Sequence, residues 1–277
     1  MRATATLFVC LCGCVLALAG CGENLTPAPV ASADPTLTCV PDLDGRIDAR
    51  ELTATLDLPV RYLVAKERAV DLAGKVDGAG RRTWDMGTRG ADSTLQLSAQ
   101  ALGTQWYAAS FPGGQFVTPL DDATDGVYAQ DDAALWLLGV ASREMAPAQG
   151  KTLIVYAAPV AVLRFPLTSG ATWTAVGDIP SGAGTIRGLP YIGRDTYVIT
   201  VDGAGRLGLP DVTFTQALRV RTQVTVAPSL GPPVTRRQVS FYFECFGEVA
   251  RATSHDGEAA ADFTTAAELR RLSLQED

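Results

Sequence analysis

Alternation with a period of two runs through much of the chain. Its clearest stretch places Leu218, Val220, Thr222, Val224 and Val226 on one face and Arg219, Arg221, Gln223 and Thr225 on the other. Successive side chains of a strand point to opposite faces, so this pattern predicts a two-faced β-strand. A second strand follows, with Val239, Phe241, Phe243 and Cys245 opposite Ser240, Tyr242 and Glu244. Between the two, Pro228-Ser229-Leu230-Gly231-Pro232-Pro233 reads as a loop, because adjacent prolines cannot continue a ladder. Shorter runs predict strands at Val60–Ala65, Thr94–Ala99, Trp106–Phe111, Ala134–Ala141, Thr152–Tyr156, Ala161–Phe165 and Thr196–Val201. Gly, Pro and Asp clusters punctuate them, among them Asp77-Gly78, Pro112-Gly113-Gly114, Asp125-Gly126 and Asp202-Gly203. The hexapeptide VDGAGR occurs at 76–81 and again at 201–206, which reads as reused turn chemistry. Helical signal is confined to Ala260–Leu274, where Phe263, Ala267, Leu269, Leu272 and a Glu268/Arg271 pair predict a short C-terminal helix.

Lone hairpins are unstable in water, so these strands must share a sheet. The expected class is mainly β: an antiparallel sheet curled into a half-barrel or sandwich, with a short C-terminal helix. A β-rich domain over 37–258 leaves 259–277 for the helix and tail, with room for a sub-boundary near 145–150.

Ahead of residue 37 the pattern changes. Arg2 precedes an apolar run from Leu7 to Ala19, closed by Leu18-Ala19-Gly20-Cys21. A run of about 13 residues is too short for a permanent membrane span, which needs about 20. Residues 1–20 therefore read as an export signal. The closing residues resemble the lipobox of bacterial lipoproteins, in which a cysteine following small residues is acylated and becomes the new N-terminus. That resemblance implies a palmitate-type lipid on Cys21, with an ordinary cleaved signal peptide as the alternative. Two or three acyl chains anchor a protein durably, because each buried methylene contributes about 0.8 kcal/mol. Residues 22–36, GENLTPAPVASADPT, form with lipidated Cys21 a flexible tether able to reach roughly 50 Å when extended. Gly22 stands where an Asp resembles an inner-membrane retention signal, so the outer membrane, facing the periplasm, is the expected location.

Composition sharpens this picture. The chain has 277 residues, 47% hydrophobic and 19% charged, with one histidine and a net charge of −7. Ample apolar material excludes disorder for most of it. The acidic balance argues against nucleic acid as a partner, since such binders need a basic face. A single histidine excludes a multi-histidine metal site and leaves little choice of catalytic base. Signal removal takes one cation and no acid, giving −8. It also removes Cys10, Cys12 and Cys14, and Cys21 carries lipid, so Cys39 and Cys245 remain. In an oxidising envelope that pair is expected to form a disulfide, worth about 4–5 kcal/mol by loop closure; two separate buried thiols are the alternative.

Residues 150–255 carry a second resemblance. Phe165-Pro166-Leu167-Thr168-Ser169-Gly170-Ala171-Thr172-Trp173, then Leu207-Gly208-Leu209-Pro210, then the stretch Phe241 to Ser254, follow one another as in a set of uncharacterised secreted bacterial β-proteins. These are distantly similar to Lol-type lipoprotein carrier and receptor half-barrels. The likeness implies an antiparallel sheet around an apolar cavity and carries over no catalytic residue.

Candidate chemistry is sparse. Counted against an EF-hand or dockerin-type calcium loop, Asp42, Asp44, Asp48 and Glu51 fall at positions 3, 5, 9 and 12, with Gly45 at 6. Position 1 is Val40 instead of Asp, so the alternative is a solvated polar turn. Asp121, Asp125 and Asp132 with Gly126 have a similar spacing but read as an acidic surface turn. His255 lacks a nucleophile motif such as G-x-S-x-G beside it. Trp84, Trp106, Trp136 and Trp173 could stack sugars, yet a Trp on a sheet is more often core. The expected function is thus a non-enzymatic, outer-membrane-anchored lipoprotein that binds an apolar ligand, another lipoprotein or a protein partner. The alternatives are a calcium-stabilised structural or adhesion module and an envelope hydrolase.

Overall fold

The computed structural model describes residues 39–275, which lie in one compact unit spanning Cys39–Asp277. The segments expected to be an export signal and a tether, with Cys21, lie outside the described residues. The strand pairings, core and disulfide detailed below are internal to that unit, so a chain beginning at residue 22 keeps all of them.

Strands are numbered in chain order. β1 (Arg46–Ile47), β2 (Val60–Ala69), β3 (Lys75–Val76), β4 (Arg82–Asp85) and β5 (Ser93–Leu97) come first. A meander follows: β6 (Gln100–Ala101), β7 (Phe116–Pro119), β8 (Thr124–Gln130), β9 (Ala134–Ser142) and β10 (Leu153–Arg164). Next are β11 (Leu167–Thr168), β12 (Thr172–Ile179), β13 (Gly184–Ile186) and β14 (Leu189–Pro190). The last five are β15 (Gly193–Gly208), β16 (Thr213–Pro228), β17 (Val234–Phe243), β18 (Gly247–Thr253) and β19 (Thr265–Leu272).

One sheet has ten strands, in the order β3-β4-β15-β16-β17-β18-β19-β2-β5, with β12 paired to β15. A second has seven, in the order β14-β13-β10-β9-β8-β7-β6, and β1 clips onto β11. Within these sheets all pairs are antiparallel except β15 with β4. That parallel approach is close: a Cβ on Gly205 would sit 2.3 Å from the Arg82 carbonyl oxygen, so only glycine fits there. The protein is mainly β and open, a sandwich of curled antiparallel sheets.

The predicted alternation on β16 and β17 explains the layering. Phe241 and Val239 join Trp84, Leu207, Phe214, Val249, Phe263 and Leu269 in the core on one face of the large sheet. Leu218 and Val220 point the other way, onto Leu163, Leu167, Trp173 and Ile47. Between the sheets, Leu137, Ile154, Tyr156, Val160 and Ile179 extend this second core, with Tyr197 packed against it. This apolar packing ends at β17. Beyond it, β18, β19 and β2 send charged side chains toward the small sheet.

Several expectations need correction. The C-terminal helix is instead β19, hydrogen-bonded between β18 and β2. Its Ala-Ala-Glu-Leu-Arg-Arg-Leu composition favours a helix in isolation, but two waiting strand edges outweigh a propensity of a few tenths of a kcal/mol per residue. Trp106–Phe111 is no strand: it holds the 3-10 turn Ala108–Ser110. Asp125-Gly126 and Asp202-Gly203 lie inside β8 and β15. The second VDGAGR copy is accordingly strand, with bulges on either side of Gly203–Gly205, while the first is a turn in which Asp77 accepts from Ala79 and Arg81. Residues 145–150 form the turn joining β9 to β10, which pair with each other, so no boundary falls there.

Candidate functional sites

A carboxylate cluster lies beside the disulfide. Cys39 and Cys245 are bonded, with Cα atoms 5.5 Å apart, so the loop after Cys39 lies against the β17–β18 turn. Leu43 and Gly45 take positive φ values of 57° and 87°, which folds this loop back on itself. The Leu43 N–H donates to Glu244 Oε2 at 2.8 Å, and the Asp48 N–H to Glu51 Oε2 at 2.7 Å. The Cys245 N–H donates to the Glu51 carbonyl at 2.9 Å. As a result Asp42, Glu51 and Glu244 bring carboxylate oxygens within 4.8 Å of one another. Glu51 is 7% exposed and Glu244 4%. Burial raises the Glu51 pKa; the Asp48 N–H opposes this, and the charges of Glu244, Asp42 and Asp48 add to it.

Of the four predicted calcium ligands, only Asp42 and Glu51 belong to this group. Arg46 draws the other two away: its Nη2 donates to both oxygens of Asp48, at 2.9 and 3.0 Å, and its Nε lies 3.4 Å from Asp44. Glu244 takes their place from the far end of the chain. Loop spacing carries no trace of it, but the expected Cys39–Cys245 bond does, since that bond sets residue 244 beside residues 40–43. Three such carboxylates are hard oxygen donors of the kind calcium takes.

The inner face of the large sheet carries a groove of about 710 Å³. The likeness to Lol-type half-barrels implies an apolar cavity; this groove is lined by both apolar and charged side chains. Lys66, Arg251, Arg270, Glu268 and Thr253 line one part; Val224, Val226 and Val234 line another together with Arg236, Arg237, Gln238, Ser254, His255 and Asp256, and Leu120, Asp121 and Thr124 at the β7–β8 turn lie opposite. Arg251 and Arg270 are direct cross-strand partners. Arg251 pairs with Glu248 through Nε at 2.9 Å and Nη2 at 2.6 Å. Glu268 is shared by Lys66 and Arg270, and Arg270 Nη2 also donates to the Leu120 carbonyl at 3.3 Å. Burial pulls the Arg251 pKa down, but the charge and hydrogen bond of Glu248 more than offset it and the net shift is upward. Tyr62 and Tyr242, whose hydroxyls burial keeps protonated, wall the Arg251–Glu248 pair.

Of the other singled-out residues, Asp121 and His255 border this groove and the rest lie elsewhere. His255 Nε2 lies 3.0 Å from Glu67 on the surface, and the neighbouring Ser254 hydroxyl donates to the His255 carbonyl. Asp121 caps its own turn, whereas Asp125 is buried and accepts from the Tyr107 hydroxyl at 2.8 Å. Trp84 and Trp173 are core, their indole N–H groups donating to the carbonyls of Leu72 and Ala161. Trp106 and Trp136 are half-buried and donate to Ser142 and Asp131. Among the described residues no helix is long and apolar enough to cross a membrane.

A buried acid went unnoticed in the sequence. Asp195 on β15 accepts from the Tyr156 hydroxyl at 2.7 Å, and its second oxygen has no partner. Burial raises its pKa, with the Tyr156 bond opposing. The folded state therefore holds the Asp195 proton more tightly than the unfolded state, and stability falls as pH rises from the ordinary carboxylate range through the raised value. Asp195→Asn keeps an acceptor for Tyr156 and removes the charge. The variant is expected to be more stable than wild type at neutral pH by about 1–2 kcal/mol, with the gap closing near pH 3. Thermal melts across pH 3–8 check this; a constant gap would contradict it.

Comparison of the chain with protein-family models, curated proteins and solved structures returned no match.

Proposed function

We propose that the protein is a non-enzymatic lipoprotein of the bacterial envelope, anchored through Cys21 and binding a ligand or protein partner along the inner face of its large sheet. The supporting observation is the groove: an inward-facing surface, open between two sheets, that joins an apolar stretch to a cationic one. Ligand sites are commonly clefts of this size, and polar and charged side chains make up most of the lining of this one. The side chains best suited to catalysis are engaged in structural contacts, as His255 and Ser254 illustrate. The lipobox and the likeness to Lol-type half-barrels favour a role in which the domain works at a tether's length from the membrane.

Anchoring has a direct test. Cys21→Ser is expected to abolish acyl labelling and to move the protein from the membrane fraction to the soluble periplasmic fraction. Unchanged fractionation would overturn the lipoprotein assignment.

A calcium-stabilised module is the second reading, favoured by the convergence of Asp42, Glu51 and Glu244. It predicts that millimolar calcium raises the melting temperature of wild type and leaves Glu244→Gln unmoved. Without divalent cations, neutralising Glu51 as Glu51→Gln should raise the melting temperature at neutral pH, because the burial penalty on that carboxylate disappears. Equal melting of wild type with calcium and with chelator would dispose of the module.

A further inference from the structure

Resting on the ligand-binding reading of the groove, we infer that its occupant is a single-chain amphiphile with an anionic head, a carboxylate or phosphate ester, seated between Arg251 and Arg270. Five cations, Lys66, Arg236, Arg237, Arg251 and Arg270, line the groove, against the carboxylates of Asp121, Asp256 and Glu268 on its walls and of Glu248, which is bound to Arg251. One positive charge is left over in a chain that is net acidic. Like charges directly opposite on neighbouring strands destabilise a sheet, and Arg251 and Arg270 are such a pair. Each guanidinium spends Nε on a glutamate and Nη2 on a glutamate or a carbonyl. Neither Nη1 has a hydrogen-bond partner among the described residues. Two guanidinium groups side by side, each with N–H donors to spare, fit one oxyanion, and an anionic head offsets the excess.

The apolar stretch supplies the other end. Starting at Ser240, the β17 partner of Arg251, this face of the strand passes Gln238 and Arg236, which line the groove, and reaches Val234, which pairs with Val226. Six residues of strand cover roughly 20 Å. Half of a bilayer's hydrocarbon core is about 15 Å, so one acyl chain reaches most of the way along it. Val226 and Val234 are 36% and 43% exposed, apolar surface that such a chain would cover. Neither a free anion nor a neutral hydrocarbon accounts for both ends of the groove.

Calorimetry on the chain beginning at residue 22 tests this with four probes: dodecanoate, dodecyl phosphate, dodecanol and acetate. Dodecanoate or dodecyl phosphate is expected to bind one to one, and whichever binds more tightly names the head group. Dodecanol is expected to bind at least tenfold more weakly, the loss of one charge-assisted hydrogen bond, and acetate not at all. Arg251→Met and Arg270→Met should each reduce the preference for dodecanoate over dodecanol at least roughly threefold. The wild-type comparison of dodecanoate with dodecanol stands even if a variant fails to fold. Equal binding of the two would overturn the anionic head and leave the apolar-groove reading intact. Absence of binding by all four would overturn both the inference and the small-ligand reading, leaving a protein partner for the groove.

Discussion

Replacing Cys245 by Ser is expected to lower the unfolding free energy by about 5 kcal/mol, the loop-closure value for a bond spanning this much chain. The disulfide joins residues 206 apart in sequence. In the unfolded chain it removes a large share of the accessible conformations, and the variant restores them. Folded-state losses should add little. Cys245 sits at positive φ, which Ser tolerates no worse, and the Cys245 N–H bond to Glu51 is made by the backbone. Urea denaturation of oxidised wild type against the variant gives the difference, and wild type in reducing agent should match the variant. A difference under about 1 kcal/mol would show that the closed loop retains structure when unfolded, so that the bond constrains nothing further.

The second large effect lies in β19. Arg271 is 1% exposed and donates through Nη2 to Asp92 at 2.6 Å, and through Nη1 to the carbonyls of Met86 and Thr88 at 2.9 and 2.7 Å. It holds the 86–92 loop across the large sheet. Arg271→Met keeps most of the volume but takes the Arg271 donor from the buried Asp92 carboxylate and the Met86 carbonyl, while the Thr88 carbonyl keeps its bond from Arg68. The expected cost is about 3–5 kcal/mol. Adding Asp92→Leu should recover part of it, because an ion pair replaced whole by apolar groups costs far less than one broken in half. Chemical denaturation of the two single variants and the double variant measures the coupling. If Arg271→Met alone is neutral, the loop is held by other contacts.

Legibility in the sequence followed locality. β16 and β17 were readable because each has one apolar and one polar face, a signal contained within ten residues. β19 was not, because its partners lie elsewhere: β2 is some 200 residues earlier, and only its edge turns an Ala-rich helix former into a strand. That error also hid the groove. With Arg270 placed on a helix, nothing in the sequence sets it opposite Arg251. The calcium-like loop was half legible for a similar reason. Asp42 and Glu51 follow from spacing, but spacing cannot show that Arg46 takes Asp44 and Asp48, nor that Glu244 arrives through the disulfide. Asp202-Gly203 and the second VDGAGR copy misled for the opposite reason: turn-forming residues bulge a strand when a partner on each side holds it.

The disulfide also sets a load path. Any pull on the chain ahead of Cys39 passes through the sulfur bridge to Cys245, at the turn between two strands inside the ten-stranded sheet. Residues 40–59 are thereby bypassed, including the two-residue β1, which would otherwise peel away first. Tension enters where rupture requires parting β17 from β16 and β18 along their hydrogen bonds. Reduction of that single bond would turn a firmly seated domain into one whose first twenty residues unzip under modest force.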